Sequence, residues 1–367
     1  MLRAICKTSL AWAYTWTGAA LRLSRQAPTR MPFIVCYHRV VENFTRSARS
    51  ANPSMLISTG MLERQIDWLA KRFTVLSLDE IASRLNGGPP FPEKRPAAIT
   101  FDDGYSDGYH YAYPLLRRKG IPGAFFIVTG LIGTGRPQFF DRFYSLLRCL
   151  HRRGLPMSLT IERALQAGGA AGVSLNRVAE KDDQPFAVMT AFLNTVPRQE
   201  LEDAVSALES RISIEPGVLD EFAPLSWDMV ETLYRGGMTI GSHTKSHTLL
   251  TTESAETVNR ELIESKQVLE ARLNAPITHF AYPDGRFTPD IVHAVGRAGY
   301  QFAYSICKSA DPNRPLLTIP RKVLWERSCS NPFGTFSAAI MNCHAHWAFD
   351  PNGCEHDHFR FNEQRMA

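Results

Sequence analysis

The sequence predicts an α/β fold: a (β/α) barrel of about seven parallel strands with a helical insertion after the third strand. Three observations carry this expectation. Short apolar runs alternate with amphipathic helical segments from residue 33 onward, six or seven such units recur, and the rhythm breaks once, between residues 131 and 225. A strand, a helix and a further strand in succession mean parallel strands joined by crossover helices. That many units favour closure into a barrel over an open sheet. Length alone, 367 residues, suits one large barrel or two smaller domains equally.

In chain order, the first 30 residues hold Arg3, Lys7, Arg22, Arg25 and Arg30 and no acidic side chain. On a helix, Ile5, Trp12, Trp16 and Leu23 fall on one side with Arg3, Lys7 and Arg25 roughly opposite, although Leu10 and Leu21 spoil the polar face. Residues 1–25 therefore read as a helix lying on an anionic membrane surface. A signal peptide is the rival reading, since a short apolar run ending "TGAA" follows the two leading cations. The run from Ser9 to Leu23 is too short and too rich in Thr to span a bilayer comfortably.

The barrel region is expected over residues 31–330. Its strands are "FIVCY" (33–37), "AAITF" (97–101), "AFFIV" (124–128), "MTIGS" (238–242), "HFAY" (279–282), "QFAYS" (301–305) and a late "IPRKV" run. Amphipathic helices are expected over 59–72, 109–120, 254–273 and 288–299. The insertion, 131–225, contains helical patterns in "FFDRFYSLLRCLHRRG" and "ELEDAVSALESRI" around the Gly/Ala-rich "LQAGGAAGVSL". Loops after barrel strands carry chemistry, so the insertion should wall one side of the site. Residues 331–367 form a tail dense in Cys and His, whose spacings fit no structural zinc finger; a mobile tail is expected there.

Composition removes some functions. Beyond residue 30 the chain carries equal numbers of basic and acidic side chains, 36 of each, so nothing recommends nucleic acid as a partner. Seven cysteines without a CxxC pair give no legible disulfide framework and fit a reducing compartment, with Cys36 and Cys307 read as buried thiols in apolar runs. The cytoplasm or the periphery of the inner membrane is favoured, with export as the alternative.

Two strand ends carry the chemistry. Asp102 and Asp103 end "AAITF", and adjacent residues of an extended chain point to opposite sides, so the two carboxylates should do different jobs. Asp-Asp-Gly is also ordinary turn material, so the pair is weak alone. His243 and His247 in "GSHTKSH" end another strand, four apart, which a helical turn would bring to one face. Carboxylates from one strand end and imidazoles from another can converge on a divalent cation with solvent positions open.

In order, "TFDDGY", "AFFIVTG", "GSHTKSH" and "FAYPDG" resemble the polysaccharide deacetylases of the NodB-homology, carbohydrate-esterase type, over residues 33 to about 325. The resemblance implies a distorted barrel holding one divalent metal, zinc first among cobalt, nickel, manganese and iron. Asp103, His243 and His247 would be its ligands and Asp102 the catalytic base. The substrate class implied is an N-acetylated glycan.

The leaving amine needs an acid. The late strand that supplies a His in many relatives has none here, whereas "CYHRV" offers His38, as in the branch of poly-N-acetylglucosamine deacetylases. Ala281 stands where many relatives place an Arg against the base, so Arg321 in "IPRKV", at a predicted strand end, is expected to take that part, with a surface salt bridge as the alternative. A backbone N–H near Tyr105 is expected at the oxyanion, and Tyr282, Phe140 and Asp141 in the sugar cleft. Two rival readings stand beside this: a two-His-one-carboxylate iron oxygenase, and a carbohydrate-binding relative whose catalysis has lapsed, suggested by Ala281.

Overall fold

The computed structural model describes residues 8–11, 31–169, 182–212, 214, 217, 219–308 and 310–349. Most of the basic segment expected at 1–30, and the tail past 349, lie outside them. Among the described residues no helix is long and apolar enough to cross a membrane.

Strands are β1 (Phe33–Tyr37), β2 (Arg39–Val41), β3 (Leu56–Ser58), β4 (Thr74–Val75), β5 (Pro96–Phe101), β6 (Ala124–Ile127), β7 (Thr239–Ser242), β8 (His279–Ala281), β9 (Phe302–Ser305) and β10 (Ile319–Val323). Seven of them, β1 and β5 to β10, pair in parallel and in order, and β10 closes on β1 through Ile34↔Arg321 to Cys36↔Val323. The predicted closed (β/α) barrel of seven parallel strands is the observed one. It is uneven: β1 and β5 share five Cα pairs, from Phe33↔Ala97 to Tyr37↔Phe101, while β7 meets β8 through Ser242↔Phe280 alone. β4 lies outside the barrel on the first residues of β5, and β2 and β3 form a separate two-stranded sheet.

The expected helices form with local signals that explain their limits. α1 (Thr59–Arg72) starts where the Ser58 hydroxyl accepts from Met61 N–H, and it buries Leu62, Ile66 and Leu69 against the outside of the barrel. α2 (Leu78–Leu85) begins with a reciprocal Ser77–Glu80 capping box. It sends Leu78, Ile81 and Ala82 into the inner core beside Ala98 and Phe126, and so plugs the barrel. The helix expected at 109–120 divides into a π turn, Gly108–Ala112, and α3 (Tyr113–Lys119). Pro114, in the first turn of α3, has no N–H to give to the preceding turn, and Gly120 ends the helix at φ 64°.

After β6 the chain leaves the barrel for α4 (Phe139–Arg152), α5 (Met157–Ala167), α6 (Pro185–Thr195) and α7 (Arg198–Glu209). These bury a core of their own, built on Phe143, Leu147, Leu150, Ile161, Phe192 and Val205. The chain returns through α8 (Trp227–Arg235), α9 (Ala255–Leu273) and α10 (Pro289–Arg297), each capped by a hydroxyl: Ser226, Ser254 and Thr288.

Two expectations need correction. Arg321 is not at a strand end but is the central residue of β10, fully buried inside the barrel over the rings of Phe126 and Tyr304. The near part of the tail is not loose: α11 (Ala338–Ala345) buries Met341 and Ala345 in the main core with Phe33, Trp68 and Phe73. His344 Nε2 sits 3.0 Å from Ser328 O. Apolar residues among the Cys and His outweigh the polar ones in placing this segment.

Candidate metal and catalytic site

The site lies at the carboxyl ends of β1, β5 and β7. Asp102 N–H donates to Tyr37 O at 2.9 Å, which carries the β1–β5 ladder one residue past the strand. Asp103 and Gly104 then take φ values of 75° and 70°. Two successive left-handed residues reverse the chain and turn the neighbouring carboxylates apart, a conformation glycine adopts freely and aspartate tolerates.

The histidine pair is placed differently from the expected helical turn. His243 N–H donates to Ile127 O at 2.9 Å, and a turn follows with Thr244 at φ 66° and His247 at φ 56°. Glu261 of α9, buried, holds that turn: its carboxylate accepts from Lys245 N–H and Ser246 N–H at 2.9 Å each and from Ser246 Oγ at 2.8 Å. On the other side Gly130 N–H donates to Lys245 O at 2.8 Å, and a Cβ at Gly130 would stand 2.7 Å from that oxygen.

The imidazoles still converge, with ring centroids 4.9 Å apart. Nε2 of His247 lies 3.1 Å and Nε2 of His243 3.4 Å from Asp103 Oδ1. One ligand atom from each of the three lies within 4.8 Å of the others, a span one cation bridges at about 2 Å per bond. His243 Nδ1 is 2.8 Å from Ala281 O; a carbonyl can only accept, so Nδ1 carries the proton and the Nε2 lone pair faces the site. Both Asp103 oxygens are buried and accept no hydrogen bond from the described residues. A buried carboxylate with no donor is costly, and a divalent cation would supply what is missing. The Asp/His/His donor set fits such an ion. Burial alone would raise the Asp103 carboxyl, but the imidazoles of His247 and His243 outweigh it and hold it far below the usual range. His243, lowered by burial and raised more by Asp103 and Asp102, ends above the ordinary histidine value.

Asp102 faces a different environment. Arg321 forks onto it, Nη1 to Oδ1 and Nη2 to Oδ2 at 2.7 Å each, and Nη1 also donates to Thr100 Oγ1 at 3.0 Å. Cys36, buried in β1, donates from Sγ to Oδ2 at 3.2 Å. Burial pushes the Asp102 carboxyl up; Arg321, then His243 and His38, push it down further, so it stays ionised. His38, just past β1, lines the cavity above Asp102. Its pKa is lowered, chiefly by burial, with Asp103 and Asp102 opposing.

The remaining expected residues divide. Phe140 lines the cavity and packs on the His247 ring, centroids 5.0 Å apart. Asp141 lines it too and accepts from Tyr105 Oη at 2.5 Å; burial raises its pKa to about 8 despite Arg39 and that hydrogen bond. Tyr105's side chain is not among the cavity-lining residues, and its hydroxyl is given to Asp141; the adjacent turn bonds, Leu225 N–H to Gly104 O and Ser106 N–H to Ala223 O, leave the Tyr105 N–H without a partner among the described residues. Tyr282 lines the cavity, but its ring packs on Phe280 and Phe287 and its hydroxyl donates to Leu317 O at 2.9 Å. Sequence reasoning missed Glu261 and Gln138, whose Nε2 donates to Asp103 O at 2.9 Å. Glu261 lies in no motif; Gln138 opens the "QFFDRF" stretch (138–143), but nothing there signals its bond to the Asp103 backbone, which only the folded chain makes.

The sequence profile described as "Polysaccharide deacetylase" matches residues 91–159 and 182–303, more than half of the chain. The chain belongs to the polysaccharide deacetylase family. Both the Asp102–Asp103 turn and the His243–His247 turn lie inside the polysaccharide deacetylase match. YxkH of Bacillus subtilis (strain 168), which bears a provisional polysaccharide deacetylase name, is 27% identical over 111 residues; that match covers 30% of this chain and 36% of YxkH. Among solved structures, the Streptococcus pyogenes deacetylase PplD, in complex with acetate, aligns with TM-score 0.53 and 18% identity over 83% of this chain and 96% of its own. IcaB from Ammonifex degensii aligns with TM-score 0.52 and 16% identity over 86% and 97%. At such identities these two show the shared polysaccharide deacetylase fold.

Proposed function

We propose that the protein is a divalent-metal-dependent hydrolase that removes N-acetyl groups from an amino sugar in a polysaccharide or lipid-linked glycan. The observation that carries this is the convergence of Asp103, His243 and His247 around carboxylate oxygens with no donor among the described residues, beside a second carboxylate locked by Arg321. Family membership and the ordered motifs support the substrate class.

Asp103, His243 and His247 would hold the ion. Once bound, a zinc or similar divalent cation supplies Lewis-acid polarisation of the acetamide carbonyl and lowers the pKa of a neighbouring water. Asp102 takes the proton of the attacking water. Oδ2 accepts from both Arg321 and Cys36, so Oδ1 keeps the lone pair that receives the proton, and the fork keeps the carboxylate ionised and aimed. The water oxygen bonds to the carbonyl carbon, and the Tyr105 N–H is free to donate to the oxyanion. The C–N bond then breaks as His38, within 4.8 Å of Asp102, delivers a proton to the departing amine. Acetate and a free amino sugar result. Phe140 packs one ligand imidazole in place.

The Arg321 fork also argues against lapsed catalysis: the guanidinium absent at Ala281 reaches the base from β10 instead. Ala281 meanwhile contributes its carbonyl to His243. An iron oxygenase would not need Asp102. The test is acetate release by zinc-reconstituted protein from β-1,4- and β-1,6-linked N-acetylglucosamine oligomers and an N-acetyl glycolipid. Release from at least one, abolished by His243→Ala and cut about 10²–10⁴-fold by Asp102→Asn, is the expected result. No release from any, or full activity of Asp102→Asn, would overturn the reading.

A further inference from the structure

The cleft above the site is large, about 1140 Å³, more than a drug-sized ligand ordinarily fills. Its lining mixes polar and apolar groups on both sides, Asp141 and Arg198 on the insertion and Ile306 and Trp325 on the barrel among them, but one stretch, on α6, is mostly apolar. On the barrel side stand Asn52, Ser54, Asp284, Arg286, Thr288 and Asp290, groups that can bond sugar hydroxyls. The insertion side is formed largely by α4 and α6. Phe140, Tyr144 and Leu193 are half-buried there, and Phe186, on α6, is 47% exposed.

α6 is "PFAVMTAFLNT", eleven residues without a charge. It buries Val188, Met189 and Phe192, yet the residues it leaves toward the cleft are largely apolar too. Its hydroxyls are turned back on the helix: Thr190 Oγ1 donates to Phe186 O and Thr195 Oγ1 to Ala191 O, both at 2.8 Å. Of the helix's cleft-lining side chains, Thr190 has spent its proton and can only accept, and Asn194 alone can still donate to a ligand. A sugar laid against α6 would find few groups to replace its lost water contacts, whereas a hydrocarbon chain has none to lose.

We propose that the substrate is amphiphilic: an N-acetylated amino sugar carried on an alkyl or isoprenyl chain, with its acetamido group at Asp103, His243 and His247 and its hydrocarbon along α6. This deepens the deacetylase reading and rests on it. The apolar wall is continuous with the catalytic cleft, so one molecule can occupy both.

The test uses full-length, zinc-loaded protein and methyl, butyl and octyl β-glycosides of N-acetylglucosamine, below the micellar concentration, beside chitotriose. Each methylene buried on the wall is worth up to about 0.8 kcal/mol, or roughly fourfold. With partial burial the octyl glycoside should exceed the methyl one at least 100-fold in kcat/KM for acetate release. Phe186→Ser and Leu193→Asn should each cut that ratio about tenfold, and Phe186, being exposed, can be replaced without unfolding the insertion. Equal kcat/KM along the series, or faster turnover of chitotriose, would overturn the proposal while leaving the deacetylase reading intact. If no acetate appears from any probe but octyl glycoside binds more tightly than methyl by calorimetry, the amphiphile stands and the chemistry falls. If light scattering shows a dimer that Phe186→Ser dissociates, with a flat alkyl series, the wall is an interface between copies and the proposal fails.

Discussion

At the scale of single residues, the site depends on which charge meets which. The Asp102–Arg321 pair is fully buried, so removing one partner leaves an unpaired charge in the barrel. Arg321→Met should destabilise the protein by about 3–5 kcal/mol, measured by urea unfolding. Arg321→Lys should keep the charge but lose the fork, lowering kcat more than it raises KM. Asp141 gives a pH signature. Its folded pKa of about 8 lies above that of an exposed aspartate, so the folded state binds the extra proton and stability falls as pH rises from about 4 to about 8. In metal-stripped protein, Asp141→Asn should flatten the decline in melting temperature between pH 6 and pH 9; an unchanged slope would remove Asp141 from the account. The acidic pair, the histidines, His38 and Arg321 were visible in the sequence because each lies in or next to a strand. The spending of the Tyr105 and Tyr282 hydroxyls was not, because their acceptors, Asp141 and Leu317 O, are 36 and 35 residues away.

At the scale of elements, the turn between His243 and His247 is held by α9. Glu261 accepts three hydrogen bonds from it while two of its residues sit at positive φ, a conformation that needs outside support. Glu261→Gln should therefore weaken zinc affinity about 10–100-fold with the ligands untouched, read by competition with a chromophoric chelator. Unaltered affinity would show that the turn holds itself. The fourfold spacing of the histidines predicted their convergence but not its geometry, since a sequence interval does not distinguish a helical turn from one built on left-handed residues. α2 was missed although Leu78, Ile81, Ala82 and Leu85 fall at helical spacing behind a Ser77–Glu80 capping box; what the sequence hides is its purpose, closing the barrel, which exists only once the strands have assembled. Pro114 could have divided the helix at 109–120 in advance.

For the whole molecule, the barrel was legible because parallel strands buried on both faces read as continuous apolar runs, and seven of them in rhythm left few alternatives. The insertion was legible as helical but not as a body with its own core, because long-range packing among Phe143, Phe192 and Val205 leaves no local pattern. On the proposed reading the barrel would supply the ligands, base and acid from strand ends, with the insertion as the facing wall. The central claim is that Asp103, His243 and His247 together hold one metal ion. Anomalous diffraction at the zinc edge from crystals of the zinc-loaded protein tests it most directly. The account predicts a single strong peak about 2 Å from an Asp103 oxygen and from Nε2 of both histidines, absent in His243→Ala. A peak elsewhere, with these three side chains left bonded only to one another, would contradict it.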